Sequence, residues 1–158
     1  MGIFKTVFNH LFGSERTYEV KGLGIFTCKV CNWCRDESYT WSGMVILPLY
    51  SKETVILMNG DASGPSPQQV SALWKLLESW KLIITQLDGM LHQESRFVHK
   101  DEIYASWQDT FYPDSIVPDV PEYNGWEISF ERQDDLKEYF SFIWRNNKVQ
   151  ELTLDVGA

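Results

Sequence analysis

Cys28, Cys31 and Cys34 are the three cysteines of the chain, and their C-x2-C-x2-C spacing is the first feature that could hold a metal. Thiolates in such a run bind iron–sulfur clusters, but the bacterial pattern needs a fourth cysteine followed by proline, and Ser38 and Tyr39 stand there. A tetrahedral zinc site would have to take its fourth ligand from His10, His92, His99 or a carboxylate. The segment Gly24–Cys34 reads as a strand, which puts Cys28 and Cys34 on one face about 20 Å apart and Cys31 on the other. One ion does not reach all three, and a local thiol pair survives only if Cys31–Cys34 lies in a turn. The run therefore reads as buried structural cysteine, with no metal and no cofactor expected.

The other chemistry-bearing side chains are no more convergent. His92 and His99 are seven apart and would face the same way on one continuous helix, with Asp88 four residues before His92 and able to contact it. A histidine needs a positioned partner to do acid–base work, and a surface helix carries such pairs by chance. Glycosidase chemistry needs two carboxyl groups facing a sugar across roughly 5–10 Å. Asp36-Glu37, Asp101-Glu102 and Asp134-Asp135 are adjacent pairs, which point apart on a strand and are solvated in a turn. No nucleophile elbow, zinc-protease helix, phosphate-binding loop, dinucleotide fingerprint or calcium loop occurs. Gly22-Leu23-Gly24 is a fragment that reads as a bulge. The expectation is that the chain is not an enzyme; the alternative is a small-ligand or enzyme module with a pocket lined by tryptophan and histidine.

Binding chemistry is better represented. Residues 112–125 read YPDSIVPDVPEYNG, where Pro113, Pro118 and Pro121 remove three backbone donors, so this stretch reads as an irregular loop. It sets Asp114, Asp119 and Glu122 beside Tyr112 and Tyr123 on a backbone that loses little entropy on binding. Aromatic anchors among acids suit a basic protein partner, and these five residues are the candidate partner-binding site. The whole chain agrees in sign: 22 acids against 14 bases give a net charge of −8, a poor match to nucleic acid. No apolar run approaches the ~20 residues of a membrane span, so stable membrane insertion is not expected. The N-terminus lacks the pattern of a secretory signal, which points to the cytoplasm. Met1–Thr6 fits the short N-myristoylation pattern, so the N-terminal segment has three readings: docked on its own domain, on a partner, or on a membrane.

These residues need a frame to hold them. At 158 residues the chain forms one domain, with no repeat or linker that would divide it. Ile3, Phe4, Val7, Phe8, Leu11 and Phe12 form one stripe of an amphipathic helix over 1–13. Strands follow over 17–59: Thr17–Val20, Gly24–Cys34, Tyr39–Tyr50 and Lys52–Asn59, with a tight connection at Ser51-Lys52. In the third strand Met44 and Ile46 suggest that the second face is also partly covered.

Helices fill 66–111. Ser66-Pro67-Gln68-Gln69 carries the marks of a capping box with proline at the first helical position. Val70, Leu73, Leu77, Trp80, Ile84, Leu87 and Leu91 then recur at spacings of three and four, which predicts one long helix lying on a sheet, bent or ended near Gly89. A further helix is predicted over Asp101–Phe111. Strands close the chain over 125–156. Trp126, Ile128 and Phe130 alternate inward, and Leu136–Arg145 pairs with Lys148–Asp155 about Asn146-Asn147, because asparagine tolerates the positive φ of a two-residue hairpin. Helix, strands, helices, strands is an α+β order with a mainly antiparallel sheet.

The marks Gly22–Phe26 before a strand, Trp41-Ser42-Gly43 opening the next, Gly64-Pro65-Ser66 ahead of the long helix, and Gly125-Trp126-Glu127-Ile128-Ser129-Phe130 before a final hairpin resemble a loosely defined bacterial family of unknown function. Proteins of this sort include small acidic members encoded near secreted antibacterial toxins. The resemblance implies an immunity protein, a cytoplasmic inhibitor that neutralises a cognate toxin by direct binding. It transfers no functional residues, because the shared marks are structural glycines, prolines and core aromatics.

Overall fold

Strand alternation and helical periodicity resolve into a single mixed sheet with helices on one face. The computed structural model describes residues 14–30, 39–97, 101–119, 125–134 and 138–154. The strands are β1 (Ser14–Val20), β2 (Gly24–Val30), β3 (Tyr39–Ile46), β4 (Glu53–Asp61), β5 (Gly64–Pro65), β6 (Phe111–Pro118), β7 (Gly125–Arg132), β8 (Tyr139–Arg145) and β9 (Lys148–Leu154). The helices are α1 (Pro67–Glu78), α2 (Trp80–Phe97), α3 (Asp101–Tyr104) and α4 (Trp107–Thr110). The sheet order is β1-β2-β3-β4-β6-β7-β8-β9, with β5 paired to β4. Two antiparallel meanders thus meet at one parallel pair, β4–β6, joined through the helices. The architecture is α+β with a mostly antiparallel sheet, as the element order implied. The predicted N-terminal helix over 1–13 lies outside the described residues, as do Cys31 and Cys34.

Two turns show how local chemistry sets register. Asn146 and Asn147 both take positive φ, 53° and 57°, and Arg145 pairs with Lys148, the geometry of a two-residue hairpin turn. Gln86 of α2 fastens that hairpin to the helical layer, donating to the Asn147 carbonyl at 3.0 Å and accepting from the Val149 amide at 2.9 Å. Gly22-Leu23-Gly24, read from sequence as a bulge, instead turns β1 into β2, with both glycines at positive φ. The tight connection expected at Ser51-Lys52 lies earlier. The Tyr50 amide closes on the Leu47 carbonyl at 3.2 Å around Pro48 and Leu49.

The long helix is not continuous. Regular helix is interrupted at Ser79, which separates α1 from α2, and the Ser79 hydroxyl donates back to the Lys75 carbonyl at 2.8 Å. Gly89, where a break was expected, lies within α2. The periodicity survives the interruption: Leu73, Leu76, Trp80, Ile83, Leu87 and Leu91 are the buried apolar residues, with Val70, Leu77 and Ile84 partly buried beside them. Trp74 is turned outward over Gly22. The capping box does not form. Ser66 makes no side-chain cap bond, and Gln69 turns to β4, accepting from the Asn59 amide at 2.6 Å. The single helix predicted over Asp101–Phe111 is two short ones, and Phe111 already begins β6.

The aromatic excess fills the core. Phe130 and Phe140 stack at 4.9 Å between ring centres, Phe111 meets Phe140 edge-on at 5.2 Å, and Tyr104 stacks on Phe111 at 5.3 Å. Trp107 packs edge-on against both Phe130 and Phe140, and its indole N–H donates to Asp88 at 3.1 Å. In the other meander Phe26 lies across Gly43, directly opposite in the ladder. A Cβ on Gly43 would stand 2.7 Å from the ring, so the glycine of Trp41-Ser42-Gly43 is there to admit it.

Candidate functional site

The period of two along a strand decides which side chains leave the core. Thr54, Ile56 and Met58 of β4 are fully buried, so Glu53, Val55 and Leu57 face away from the helices. The same alternation turns Glu127, Ser129 and Glu131 outward from β7, and Tyr139, Ser141 and Ile143 outward from β8. Ile25 and Met44, 63% and 65% exposed, extend this face into β2 and β3. The partial cover expected over Met44 and Ile46 is not present; both are exposed. No described helix lies on this side of the sheet.

Cross-strand register organises the face into rows. Glu131 stands between Tyr112 and Tyr139, Glu127 between Val117 and Ile143, and Val55 between Met44 and Ser115. The Tyr112 hydroxyl donates to Glu131 at 2.9 Å. The Lys52 ammonium lies 4.5 Å from the centre of the Tyr112 ring and donates to the Gln133 carbonyl at 3.0 Å. Asp114 occupies a bulge between Pro113 and Ser115, half-buried. Burial first, and the Glu131 charge second, push its carboxyl above the usual carboxylate range. The arrangement is a partly apolar plane edged by carboxylates, one of which sits beside another negative charge.

The structure separates the five residues proposed from sequence. Residues 112–118, within the stretch 112–125 read as an irregular loop, belong to β6 at the centre of the sheet. Proline is tolerated there because Pro113 adjoins the bulge and Pro118 ends the strand. Thr54, fully buried, donates to the Pro113 carbonyl at 2.7 Å beside the bulge. Tyr112 is buried rather than presented, Asp114 is at the bulge, and Asp119 is in an ion pair with Arg145. Glu122 and Tyr123 lie outside the described residues. Glu53, Glu127 and Glu131 were not singled out from sequence. The outward alternation of Glu127 and Glu131 about Ile128 and Phe130 was the available signal.

Other acids have local roles. Arg132 pairs with Asp134 at 2.5 Å and Glu138 at 2.7 Å, and these bonds, Asp134 first, hold its guanidinium above its usual range. Asp88 takes the Trp107 indole rather than His92, which is exposed on α2. His99 lies outside the described residues. Among the described residues no three histidine, cysteine or carboxylate side chains converge on a metal position. Cys28 is buried on the core face of β2, and burial pushes its thiol up. Trp74 and Trp80 line one groove, Trp126 another and His92 a third hollow, so these side chains do not share a pocket.

A hollow of about 660 Å³ opens at the carboxyl ends of β4 and β6, between Asn59–Asp61, the start of α1 and Trp126. Carboxyl ends of parallel strands are where open sheets with helical crossovers place ligands. Its acid, Asp61, is held below the usual range chiefly by the Ser63 hydroxyl and amide, a closed local turn. No helix among the described residues is long and apolar enough to cross a membrane. Comparison with protein-family models, with curated proteins and with solved structures found no match to this chain.

Proposed function

We propose that the chain is a protein-binding inhibitor of the immunity type, which acts in the cytoplasm and neutralises a bacterial toxin by covering a basic surface. The observation that carries this reading is the face of the sheet that no described helix covers, where Ile25 and Met44 are exposed on the same side as Glu53, Asp114, Glu127 and Glu131. Exposed apolar side chains that share a face with four carboxylates and with the cations Lys29 and Lys52 make the mixed apolar and polar surface that protein interfaces use. Six strands, β2 to β8 without β5, spaced about 4.8 Å apart and about 23 Å long, offer a plane on the order of 550 Å². Side-chain relief brings that close to the ~800 Å² a side of a standard complex. The net charge of −8 supports the same partner, because it steers a basic protein and repels an acidic one.

The raised carboxyl of Asp114 fits this role. A cation arriving from the partner relieves its repulsion with Glu131, so the strain in the free protein becomes affinity in the complex. The test uses the purified protein and the toxin encoded beside it, with association rates and affinities measured at low and physiological salt. Glu127→Lys should slow association and flatten its salt dependence, and Met44→Asp should speed dissociation, with affinity falling at least about tenfold in each case. Association that ignores salt, or that neither variant alters, sinks the reading.

A further inference from the structure

The first turn of α1 stands at the carboxyl end of β4, where the crossover to the parallel strand β6 begins. Two bonds fix it there. The Ser66 amide donates to the Asn59 carbonyl at 2.8 Å, and the Gln69 side chain accepts from the Asn59 amide at 2.6 Å. The turn keeps donors to spare. Pro67 has no amide, the Ser66 hydroxyl makes no cap bond, and Val70 is the first amide to meet a carbonyl, that of Ser66 at 3.0 Å. The Gln68 and Gln69 amides are left pointing out of the helix end, beside the 660 Å³ hollow that both residues line. Trp126, on the sheet side of the hollow, makes an independent case. It is 5% exposed, and its indole N–H has no acceptor among the described residues, yet it is not sealed from solvent. A buried indole ordinarily finds a partner, and what Trp126 leaves uncovered borders the hollow it lines. Pro67, Ala72 and Pro118 add apolar wall.

We infer that this hollow is a small-molecule site for an apolar monocarboxylate. The α1 amides hold its charged end, the Trp126 indole N–H is a further donor to it, and its hydrocarbon body lies against Pro67, Ala72 and Pro118. The helix terminus supplies partial positive charge enough for one negative group. A phosphate ester carries too much: among the described residues no lysine or arginine lines the hollow, Asp61 stands on its rim, and the whole chain has a net charge of −8. Asp61 is itself closed onto the Ser63 amide and hydroxyl, which leaves the donors of α1 free. The volume lies within the roughly 300–1,000 Å³ of small-ligand pockets. The site is at the strand ends, apart from the uncovered face of the sheet, so it is independent of toxin capture.

Titration of the full chain with phenylacetate, followed by amide NMR, tests this. The Gln68 and Gln69 amides and the Trp126 indole N–H should shift together and saturate with a Kd of about 1 mM or below. Phenylacetamide, of the same shape without the charge, should bind at least about fivefold more weakly, and inorganic phosphate should not saturate. Ala72→Leu narrows the hollow at a helical position and leaves every donor in place; it should weaken phenylacetate at least about fivefold. Trp126→Phe keeps a ring and removes the donor, with a loss of similar size expected. Phenylacetate that leaves the three signals unmoved up to about 20 mM overturns the inference. So does phenylacetamide binding equally well, or phosphate binding equally well, which reduces the site to a helix end that meets any anion. Binding that neither variant weakens overturns it too.

Discussion

Replacing Thr54 by valine tests the junction on which the sheet and the acidic face both depend. Thr54 is fully buried, and its hydroxyl donates to the Pro113 carbonyl at 2.7 Å across the one parallel strand pair. Valine keeps the shape and removes the donor, so no cavity forms and the loss is that of a buried hydrogen bond with its acceptor stranded, about 1–3 kcal/mol. For a chain of this length that lowers Tm by about 2–12 °C. The same value should emerge as a shift of the urea midpoint at unchanged slope, since little additional surface is exposed. Thr54→Ser keeps the donor and loses one methyl group, costing about 1 kcal/mol by a different route.

Amide hydrogen exchange separates the two routes. The valine variant should speed exchange in Ser115 and Ile116 beside the bulge, and the serine variant should not. Because the bulge presents Asp114 half-buried next to Glu131, loosening it should also move the Asp114 carboxyl back toward the ordinary range, read by NMR titration. A valine variant within about 0.5 kcal/mol of the parent, with exchange unchanged at the bulge, would refute the reasoning, because a stranded buried carbonyl cannot be that cheap.

Two further outcomes follow from buried partners and charge. Asp88→Ala strands the indole N–H of Trp107, which is 1% exposed, and should cost about 1–3 kcal/mol, whereas Asp88→Asn keeps an acceptor and should recover part of that; equal urea midpoints for the two variants would contradict it. Asp114→Asn should stabilise the free protein at neutral pH by about 0.2–1 kcal/mol, because it removes first the burial of a charge and second its repulsion with Glu131 on the neighbouring strand. The folded carboxyl lies above its unfolded value, so its ionised form is the one the native state disfavours. The advantage of asparagine is therefore full above the folded pKa and fades as pH falls toward the unfolded value near 3.8, measured as urea midpoints against pH.

Local patterns proved readable where one force acts alone. Trp126, Ile128 and Phe130 alternate because one face of β7 is buried, and that rule needs no knowledge of the neighbouring strands. Asn146-Asn147 selects its turn through a φ that few other residues accept. Pro67 starts α1 where its missing amide costs nothing. The same local reasoning failed at residues 112–118, because the donors lost at Pro113 and Pro118 fall at a bulge and a strand end, and the Pro113 carbonyl is held by the Thr54 hydroxyl from 59 residues away. It failed at Ser79 because a serine inside a periodic stripe does not disclose that its hydroxyl will bond back to Lys75. The acidic–aromatic site suffered for a related reason: Tyr112 and Asp119 found partners in Glu131 and Arg145, on strands that pair only once the sheet is built.

Sequence was enough for the class of the protein, α+β with a mainly antiparallel sheet, many aromatic residues and a net acidic charge, but not for β6 or for the division of the helices. Composition and short-range periodicity carry that information because burial and backbone conformation are set within a few residues. Tertiary structure alone decided which carboxylates share a face of the sheet and which are spent on neighbours. Charges interact through space, and Glu53 comes to share a face with Asp114, Glu127 and Glu131 only because the parallel β4–β6 pair joins two distant meanders in one sheet.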